Sequence, residues 1–373
     1  MDRPNARIAS PAEPGLVLSG LSLRTGRAAA LDAVSLEVAP GAFLGLLGPA
    51  GSGKSALLAA LAGTATPTGQ ASLHGANLLR PKPHLRGLGV VQQHDALFPH
   101  LTLAENIAYP LRLRAVRASE RARLVEAALE LVQLENASRL PHRVTQAERQ
   151  RAAWARATIF GPRLLLLDEP LSDQDVAGRA ATLATLRRLH IMLGCITIMA
   201  TRVAADAMAL SDQVAVLHRG RIAQLAAPAT LYDEPVSAEV ARAGGEANLL
   251  PGVVHAIDED GVARIGLACG PVVEAAAAPG LRVRDTCLFF VRPERVAVAG
   301  MRAGDMGDGA IEATLLEALH LGDGVRLRLL LGSGAELLVK RPLAAGLRGL
   351  KQGEQVAVAW QPEHALVFGN ESK

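Results

Sequence analysis

A glycine-rich octapeptide is the first segment of the chain whose residue types could do chemistry. Residues 48–55 read GPAGSGKS and match the pattern GxxxxGK[ST] in full. Glycines let several backbone N–H groups converge on an anion, while the lysine adds a cation and the following hydroxyl adds a magnesium ligand. The pattern therefore predicts a phosphate site made of consecutive residues: Gly48, Pro49, Ala50, Gly51, Ser52, Gly53, Lys54 and Ser55.

The segments on either side of this octapeptide are those that a phosphate loop needs. Residues 43–47 are an apolar run typical of a buried strand, and residues 55–61 have a helical composition. A strand, a turn and a helix place the loop at a helix N-terminus, where anions are favoured. Lys54 would neutralise β- and γ-phosphate oxygens there, and the Ser55 hydroxyl would bind Mg²⁺. The chain is thus predicted to bind a nucleotide.

Two consecutive carboxylates end a second apolar run. The sequence LLLLDEP places Asp168 and Glu169 directly after four leucines. At the end of a buried strand, Asp168 would hold Mg²⁺ through water, and Glu169 would polarise the attacking water. A plainer alternative is an acidic pair that caps the next helix. Together with the upstream loop, the pair indicates a nucleotide hydrolase.

The pattern of elements divides the chain into an α/β part and an all-β part. Strands alternate with helices over residues 15–243, which predicts a largely parallel sheet. A helical insert is expected over about residues 103–158, with Ser119 as a helix cap. Residues 244–373 consist of short alternating runs between Gly, Asp and Pro turns and predict a β domain. Residues 1–14 are expected to be a disordered leader.

Composition narrows the class of protein further. The 373 residues include 39 basic and 36 acidic side chains, and this net charge of +3 is too balanced to indicate a nucleic-acid surface. No apolar run approaches the roughly 18 to 20 residues that cross a bilayer. The cysteines, Cys195, Cys269 and Cys287, show no CxxC spacing and are expected to be buried thiols. The N-terminus has no apolar core, so we do not expect a secretory signal. We expect a cytoplasmic location instead.

The ordered set of motifs resembles the ATP-binding subunits of ABC transporters over essentially the whole chain. GPAGSGKS resembles the Walker A loop, VVQQHDALFPHLTLAEN the Q-loop segment, and LLLLDEPLSDQD the Walker B motif followed by a D-loop at residues 172–175. The resemblance implies an ATPase with a P-loop NTPase fold, ATP and Mg²⁺ as cofactors, and Gln93 as a catalytic and metal-binding glutamine. It also implies that two nucleotide domains sandwich two ATP molecules, and that the helical insert contacts a transmembrane partner.

The C-terminal part resembles the paired OB-like barrels called TOBE in ATPases of importers. VRPERV at residues 291–296 and WQPEHALVF at residues 360–368 are most similar to the polyamine branch and next to the iron(III) branch. Sugar, sulfate and molybdate importers have similar barrels. The resemblance implies a peripheral subunit on the cytoplasmic face of the inner membrane. Its partners would be permease subunits, through them a solute-binding protein, and a second ATPase subunit, identical or different, with no nucleic acid.

The segment that aligns with the family's LSGGQ signature departs from it. Alignment on ERQRAAWARA places the signature on VTQAE, residues 144–148. Only the hydroxyl is kept, as Thr145, which is therefore the expected ATP contact. Gln146 and Ala147 bring Cβ atoms where the backbone must approach a phosphate closely. Glu148 replaces a neutral glutamine and would repel the phosphate charge.

Two further positions that concern ATP also differ from the family. Its switch histidine aligns with Arg202, whose charge is permanent. Arg202 would either clamp the γ-phosphate or pair with Glu169 and hold that carboxylate away from water. The aromatic residue that stacks on adenine aligns with Thr25, so the loss of a stacking contact of about 0.5 to 1.5 kcal/mol is expected to weaken nucleotide binding.

Three hypotheses for function follow from these residues. The first is an importer ATPase in which the altered motifs are tolerated and hydrolysis drives solute uptake. The second is a regulatory subunit that binds ATP but hydrolyses it slowly or not at all. The third, a soluble ATPase of DNA repair or translation, is disfavoured by the β domain and by the single nucleotide motif set.

Overall fold

A computed structural model describes residues 15–26, 28–93, 96–172, 174–268, 270–300, 310–332, 334–342 and 350–369. The expected leader at residues 1–14 lies outside these ranges, as does Cys269. The chain divides into two compact units, Met1–Ala229 and Thr230–Lys373. The domain boundary expected from the sequence, between residues 243 and 244, falls inside the second unit.

The first unit combines an antiparallel sheet, a parallel sheet and helices. Its strands are β1 Leu16–Thr25, β2 Ala28–Val38, β3 Phe43–Leu47, β4 Thr68–Leu73, β5 Ala76–Asn77, β6 Leu88–Val91, β7 Leu164–Asp168, β8 Ile196–Thr201, β9 Gln213–His218 and β10 Arg221–Ala226. Its helices are α1 Lys54–Ala62, α2 Leu103–Leu113, α3 Ala118–Leu131, α4 Gln146–Thr158, α5 Val176–Leu193 and α6 Ala204–Leu210, and α7 Pro228–Asp233 crosses the division.

The six-stranded sheet of this unit has the order β10-β9-β3-β8-β7-β6. All neighbouring strands are parallel except β9 and β10, which confirms the predicted parallel sheet. Every residue of β3 is buried, as expected for a strand covered on both faces. Because β3, β7 and β8 are parallel neighbours, the residues that follow them meet at one edge of the sheet. This edge places the predicted phosphate loop beside Asp168.

Apolar layers cover both faces of the parallel sheet. On one face, Leu57 and Leu61 of α1 belong to a buried cluster with Leu44 and Leu46 of β3. The antiparallel sheet, with strand order β2-β1-β4-β5, contributes to the same cluster. On the other face, Trp154 of α4 belongs to a second cluster that includes residues of β3, β7 and α5. The two layers fix the strand ends from which the site is built.

The predicted helical insert is present as α2, α3 and α4. Both α2 and α4 begin with a capping box, in which a threonine and a glutamate three residues later exchange hydrogen bonds. The expectation for Ser119 is wrong, because α3 begins at Ala118 with Arg117 as its N-cap. The N–H of Arg121 donates to the Arg117 carbonyl at 2.9 Å, so the first turn closes before Ser119.

The second unit is almost entirely β structure, as predicted. Its described residues form α8 Ala238–Gly244 and ten strands: β11 Asn248–Ile257, β12 Val262–Leu267, β13 Val272–Ala277, β14 Thr286–Val291, β15 Ala297–Gly300, β16 Ile311–His320, β17 Gly324–Leu331, β18 Glu336–Pro342, β19 Gln355–Ala359 and β20 Ala365–Gly369. Strands β11-β12-β13-β20-β14 form a closed barrel, and β15-β19-β16-β17-β18 form a five-stranded sheet. One buried aliphatic cluster includes residues of both.

Two expectations drawn from composition can be compared with the structure. Cys195 and Cys287 are buried free thiols, as predicted, and burial raises the pKa of Cys287 to about 11. Among the described helices, none has both the length and the apolar character required to span a bilayer.

Candidate nucleotide site

The loop between β3 and α1 has a backbone that requires glycine. Gly53 is the N-cap of α1 with φ 109°, a conformation that residues with a Cβ rarely adopt. A Cβ on Gly53 would also lie 2.5 Å from the Ala30 carbonyl oxygen, and one on Gly48 would lie 2.3 Å from that of Leu217. Backbone therefore closes around this loop on two sides, and a side chain at either glycine would push the loop open.

Lys54 extends back across the loop from the first position of α1. Its side chain is buried, and the ammonium Nζ donates to the carbonyls of Gly48 at 2.7 Å and Pro49 at 2.9 Å. Burial lowers the pKa of Lys54, Glu169 and Asp168 oppose that shift, and Arg202 adds to it. The ammonium is therefore held within the loop by neutral carbonyls, which phosphate oxygens can replace as stronger partners.

Ser55 and Asp168 form an oxygen pair suited to a small divalent cation. The Ser55 hydroxyl donates to Asp168 Oδ1 at 3.1 Å, which joins the start of α1 to the end of β7. Gln93 is exposed just after β6 and lines the same cleft. Magnesium prefers oxygen ligands and often takes only one or two from protein, the rest being phosphate and water. These residues fit Mg²⁺, and the described ranges contain no cluster of three His, Cys, Asp or Glu that could form a protein-only metal site.

Glu169 is fixed between two neighbouring strands. Its φ is 48°, uncommon for a residue with a side chain, and its N–H donates to the Ala200 carbonyl of β8 at 2.9 Å. Its carboxylate Oε1 accepts from Nε of Arg202 at 3.1 Å. This contact is the one that the second alternative for Arg202 requires, and the role of Arg202 stays a prediction.

Residues 50–55 of the predicted phosphate loop line one cleft of about 430 Å³, whereas Gly48, Pro49 and Asp168 do not line it. Five segments contribute to it: the phosphate loop with the start of α1, Ala30 of β2, and single residues after β6, β7 and β8, which are Gln93, Glu169 and Arg202. Thr145 does not line the described cleft, and its contact with ATP stays a prediction. The backbone of Thr25 ends β1, but the structure does not describe its side chain, so its place beside adenine also stays a prediction.

The departure at the signature has a structural role that sequence reasoning missed. The N–H and hydroxyl of Thr145 both donate to Glu148 Oε2 at 2.8 Å, and the Glu148 N–H donates to Thr145 Oγ1 at 3.3 Å. These hydrogen bonds lower the pKa of Glu148. The spacing of a threonine and a glutamate three residues apart before a helix is the sequence signal of a capping box. Residues 145–148, TQAE, contain this signal.

The altered D-loop is tied to α4. Gln174 Nε2 donates to Gln150 Oε1 at 2.6 Å, and Gln150 Nε2 donates to the Pro170 carbonyl. Asp175 is the N-cap of α5, where its Oδ1 accepts from the Gly178 N–H at 2.7 Å. The N–H of Ser172, the first D-loop residue, donates to the Glu169 carbonyl at 3.2 Å, and residue 173 lies outside the described ranges. The polar Gln174 thus connects the segment after Glu169 to the helix that follows the signature.

A buried asparagine organises the segment between the Q-loop and α2. Asn106 is fully buried, and its Oδ1 accepts from the Phe98 N–H at 2.7 Å. Its Nδ2 lies 3.0 to 3.1 Å from the carbonyls of Phe98, Leu101 and Thr102. Sequence reasoning missed this residue. The available signal was a polar side chain on the apolar face of a helix that begins with a capping box.

Comparison with known proteins agrees with this geometry. The ABC transporter family matches residues 31–172 and the TOBE domain matches residues 289–368. The spermidine/putrescine import ATP-binding protein PotA of Rubrobacter xylanophilus is 36% identical over 94% of this chain and 93% of its own. PotA 2 of Pseudomonas aeruginosa is 37% identical over 93% and 97%. The dimeric ATP-binding cassette MJ0796, solved with ADP and Pi, matches 56% of this chain and 97% of its own with a TM-score of 0.52 and 25% identity.

A P-loop, a parallel sheet and paired carboxylates at one sheet edge define an ATP-binding cassette, a class of ATPase coupled to transport. The chain belongs to the family of ABC transporter ATP-binding proteins that have a C-terminal TOBE domain. The predicted family, fold class and enzyme class are confirmed.

Proposed function

We propose that this chain is the energy-coupling ATPase subunit of an importer for polyamines of the spermidine and putrescine type. The names of the two relatives support this solute class over iron(III), and both match along nearly their whole length. The observation that supports hydrolysis best is the assembly of Lys54, Ser55, Asp168 and Glu169 at one sheet edge. The regulatory, non-hydrolysing hypothesis receives no support from these relatives.

Different residues at the site have different roles in phosphoryl transfer. The backbone N–H groups of the loop and the Lys54 ammonium bind the β- and γ-phosphates. Ser55, Asp168 and Gln93 hold Mg²⁺, which neutralises phosphate charge when bound. Glu169 orients the attacking water and accepts its proton. The predicted catalytic role of Gln93 is to sense this site and transmit its state to α2.

The hydrolytic role is tested by steady-state phosphate release from the purified protein with Mg-ATP. We expect turnover in the unaltered chain and its loss in Glu169→Gln, because the amide cannot accept the proton of the attacking water. Lys54→Ala should abolish ATP binding and uptake. Binding without turnover in the unaltered chain would favour the regulatory hypothesis, and unchanged uptake in Lys54→Ala would exclude a motor role.

The proposed setting is the cytoplasmic face of the inner membrane, where a dimer with an identical or different ATPase subunit works beneath permease subunits and their solute-binding protein. The helical insert offers a surface for the permease, a groove of about 450 Å³ between α2 and α3. The groove is lined by small or apolar side chains and by side chains of both positive and negative charge. The lining includes Ala104, Ala108, Ala122, Val125, Leu129, Glu105, Arg112, Arg121 and Glu126. We propose that a permease segment with apolar side chains and flanking charges lies in this groove.

Filling the groove tests this docking. Ala122→Trp should abolish solute uptake while leaving ATP binding unchanged, because the indole occupies the place of the permease segment. Ala127→Trp is a matched control, since Ala127 is exposed on the same helix but does not line the groove. Equal uptake in the two variants, measured in cells with the intact transporter, would contradict docking at this groove.

A further inference from the structure

The pairing of Arg202 with Glu169 suggests control of the hydrolytic step. We propose that Arg202 acts as a brake, restraining Glu169 so that the basal rate of ATP hydrolysis stays low. This inference rests on the proposed hydrolytic role of Glu169. In it Arg202 is a positioning residue, because it acts on water and phosphate through the carboxylate.

The two side chains meet because of the strand register. Asp168, the last residue of β7, is the Cα partner of Ala200 in β8, and both strands run in the same direction. Glu169 and Arg202 are therefore neighbours at the carboxyl edge of the sheet. The Thr201 hydroxyl accepts from the Val203 N–H at 3.1 Å and shapes the turn in which Arg202 lies. The pairing is thus built into the backbone of both strands.

The contact changes what the carboxylate can do. A guanidinium that donates to Oε1 occupies a lone pair that a water molecule would otherwise use, and it holds the carboxylate in one orientation. The other nearby cation, Lys54, donates to loop carbonyls. The nearby carboxylate of Asp168 accepts from Ser55. Within the described cleft, Arg202 is the cation that pairs with Glu169.

The geometry also shows that the contact can open. Arg202 is 52% exposed, whereas Glu169 is 12% exposed, so the guanidinium can rotate into solvent while the carboxylate stays in the cleft. By contrast, Arg179 binds Asp206 through two hydrogen bonds, at 2.8 and 2.6 Å, and Asp206 is 2% exposed. The Arg179 pair is structural. The single, half-exposed contact of Arg202 suits a restraint that is released during the cycle.

The test compares variants in full-length protein by phosphate release and ATP binding. Arg202→Gln should raise kcat by about 1.5- to 5-fold, the range expected when an ion pair of this exposure is opened. The Kd for ATP should not change. Arg202→Lys keeps the charge and should stay near the unaltered rate. The increase should vanish in Arg202→Gln combined with Glu169→Gln, since the brake acts through that carboxylate.

Arg264→Gln is the matched control, because Arg264 Nε contacts Glu274 Oε1 at the same 3.1 Å in the second unit. It should change neither kcat nor Kd. A lower kcat or weaker ATP binding in Arg202→Gln would overturn the brake and assign Arg202 to the γ-phosphate. An unchanged kcat, or no turnover in Arg202→Gln despite intact ATP binding, would also overturn it. Turnover that persists in Glu169→Gln alone would instead overturn the proposed hydrolytic role.

Discussion

Glu148, at the start of α4, has two opposing effects. Its carboxylate closes the capping box with Thr145 and satisfies donors at the helix end. The same negative charge lies at a helix end that the family resemblance assigns to phosphate of the partner's ATP. A neutral glutamine at the third helical position closes the same box without the charge. Helix stability therefore does not require the charge.

Glu148→Gln should separate the two effects. Because the capping box is kept, we expect the free energy of unfolding to change by less than about 0.5 kcal/mol. ATP-dependent dimerisation and turnover should increase, because a charge facing phosphate is removed. Thr145→Ala is the contrasting variant and should cost about 1 kcal/mol through loss of the cap. Thermal unfolding and phosphate release measure the two effects, and unchanged turnover in Glu148→Gln would show that the charge does not face phosphate.

Glu148 also makes the stability of the start of α4 sensitive to acid. The pKa of Glu148 is lowered by hydrogen bonds from Thr145, so the folded state binds its proton less readily than the unfolded state does. The stabilisation is complete above the unfolded carboxyl pKa, about 4.3, and is lost as pH falls through the lower folded value. In Glu148→Gln this part of the acid dependence should disappear from the unfolding curve. If Glu148→Gln lost stability at low pH in the same way as the unaltered chain, the contribution of Glu148 to acid sensitivity would be contradicted.

The segment leading into α2 depends on one buried side chain. The buried Asn106 side chain accepts from the Phe98 N–H and lies within 3.1 Å of three carbonyls of residues 98–102. This segment connects Gln93, at the cleft, with the helices that form the proposed permease groove. We therefore expect Asn106 to keep this segment rigid.

Replacing Asn106 should loosen that connection. Asn106→Leu keeps the volume but removes the acceptor of the Phe98 N–H and the side-chain donor to the Leu101 carbonyl, which should cost about 2 to 4 kcal/mol. We expect faster hydrogen exchange over residues 98–102 and reduced uptake per ATP hydrolysed, with ATP binding retained. Asn106→Asp keeps the acceptor for the Phe98 N–H and should have an intermediate effect. Normal coupling in Asn106→Leu would mean that the segment does not transmit the state of the site.

The sequence predicts the bounds of an element well where burial alone determines them. It predicts helix caps and side-chain contacts less well, because these depend on the direction of individual side chains. The run at residues 43–47 gives the bounds of β3 because all its residues are buried. The cap at Ser119 is wrong because neighbouring positions compete for the first turn and periodicity does not choose between them. Alignment gave the position of Arg202 and two alternatives for its contact, and the choice between them depended on the β7–β8 register, which is not visible in a single sequence.

At the scale of the molecule, the second unit is held together by contacts distant in sequence. Asn248 and Leu338 exchange two hydrogen bonds, at 2.8 and 2.7 Å, between the barrel and the neighbouring sheet. Arg292 is 1% exposed and donates to carbonyls of Tyr232, Ala241 and Glu246. The all-β character was predictable from alternating runs, whereas these pairings were not.

Removing β20 should unfold the second unit alone. Deletion of residues 362–373 takes away the strand between β13 and β14, along with the buried Val367 and Phe368. We expect the thermal transition of the second unit to disappear and ATP binding by the first unit to remain. Deletion of residues 370–373 alone is the matched control, because it leaves β20 intact. A normal second transition after the longer deletion would show that barrel closure is dispensable.

Barrel closure by β20 also sets a limit on folding during synthesis. The strand pairs with β13 and β14, yet the whole five-stranded sheet is encoded between β14 and β20. A growing chain therefore exposes two open barrel edges on the ribosome until residues 365–369 emerge. Unpaired edges recruit other strands. Prematurely terminated chains should consequently aggregate or be degraded even though their ATPase portion is complete, so translation errors late in the message are as damaging as those in the catalytic region.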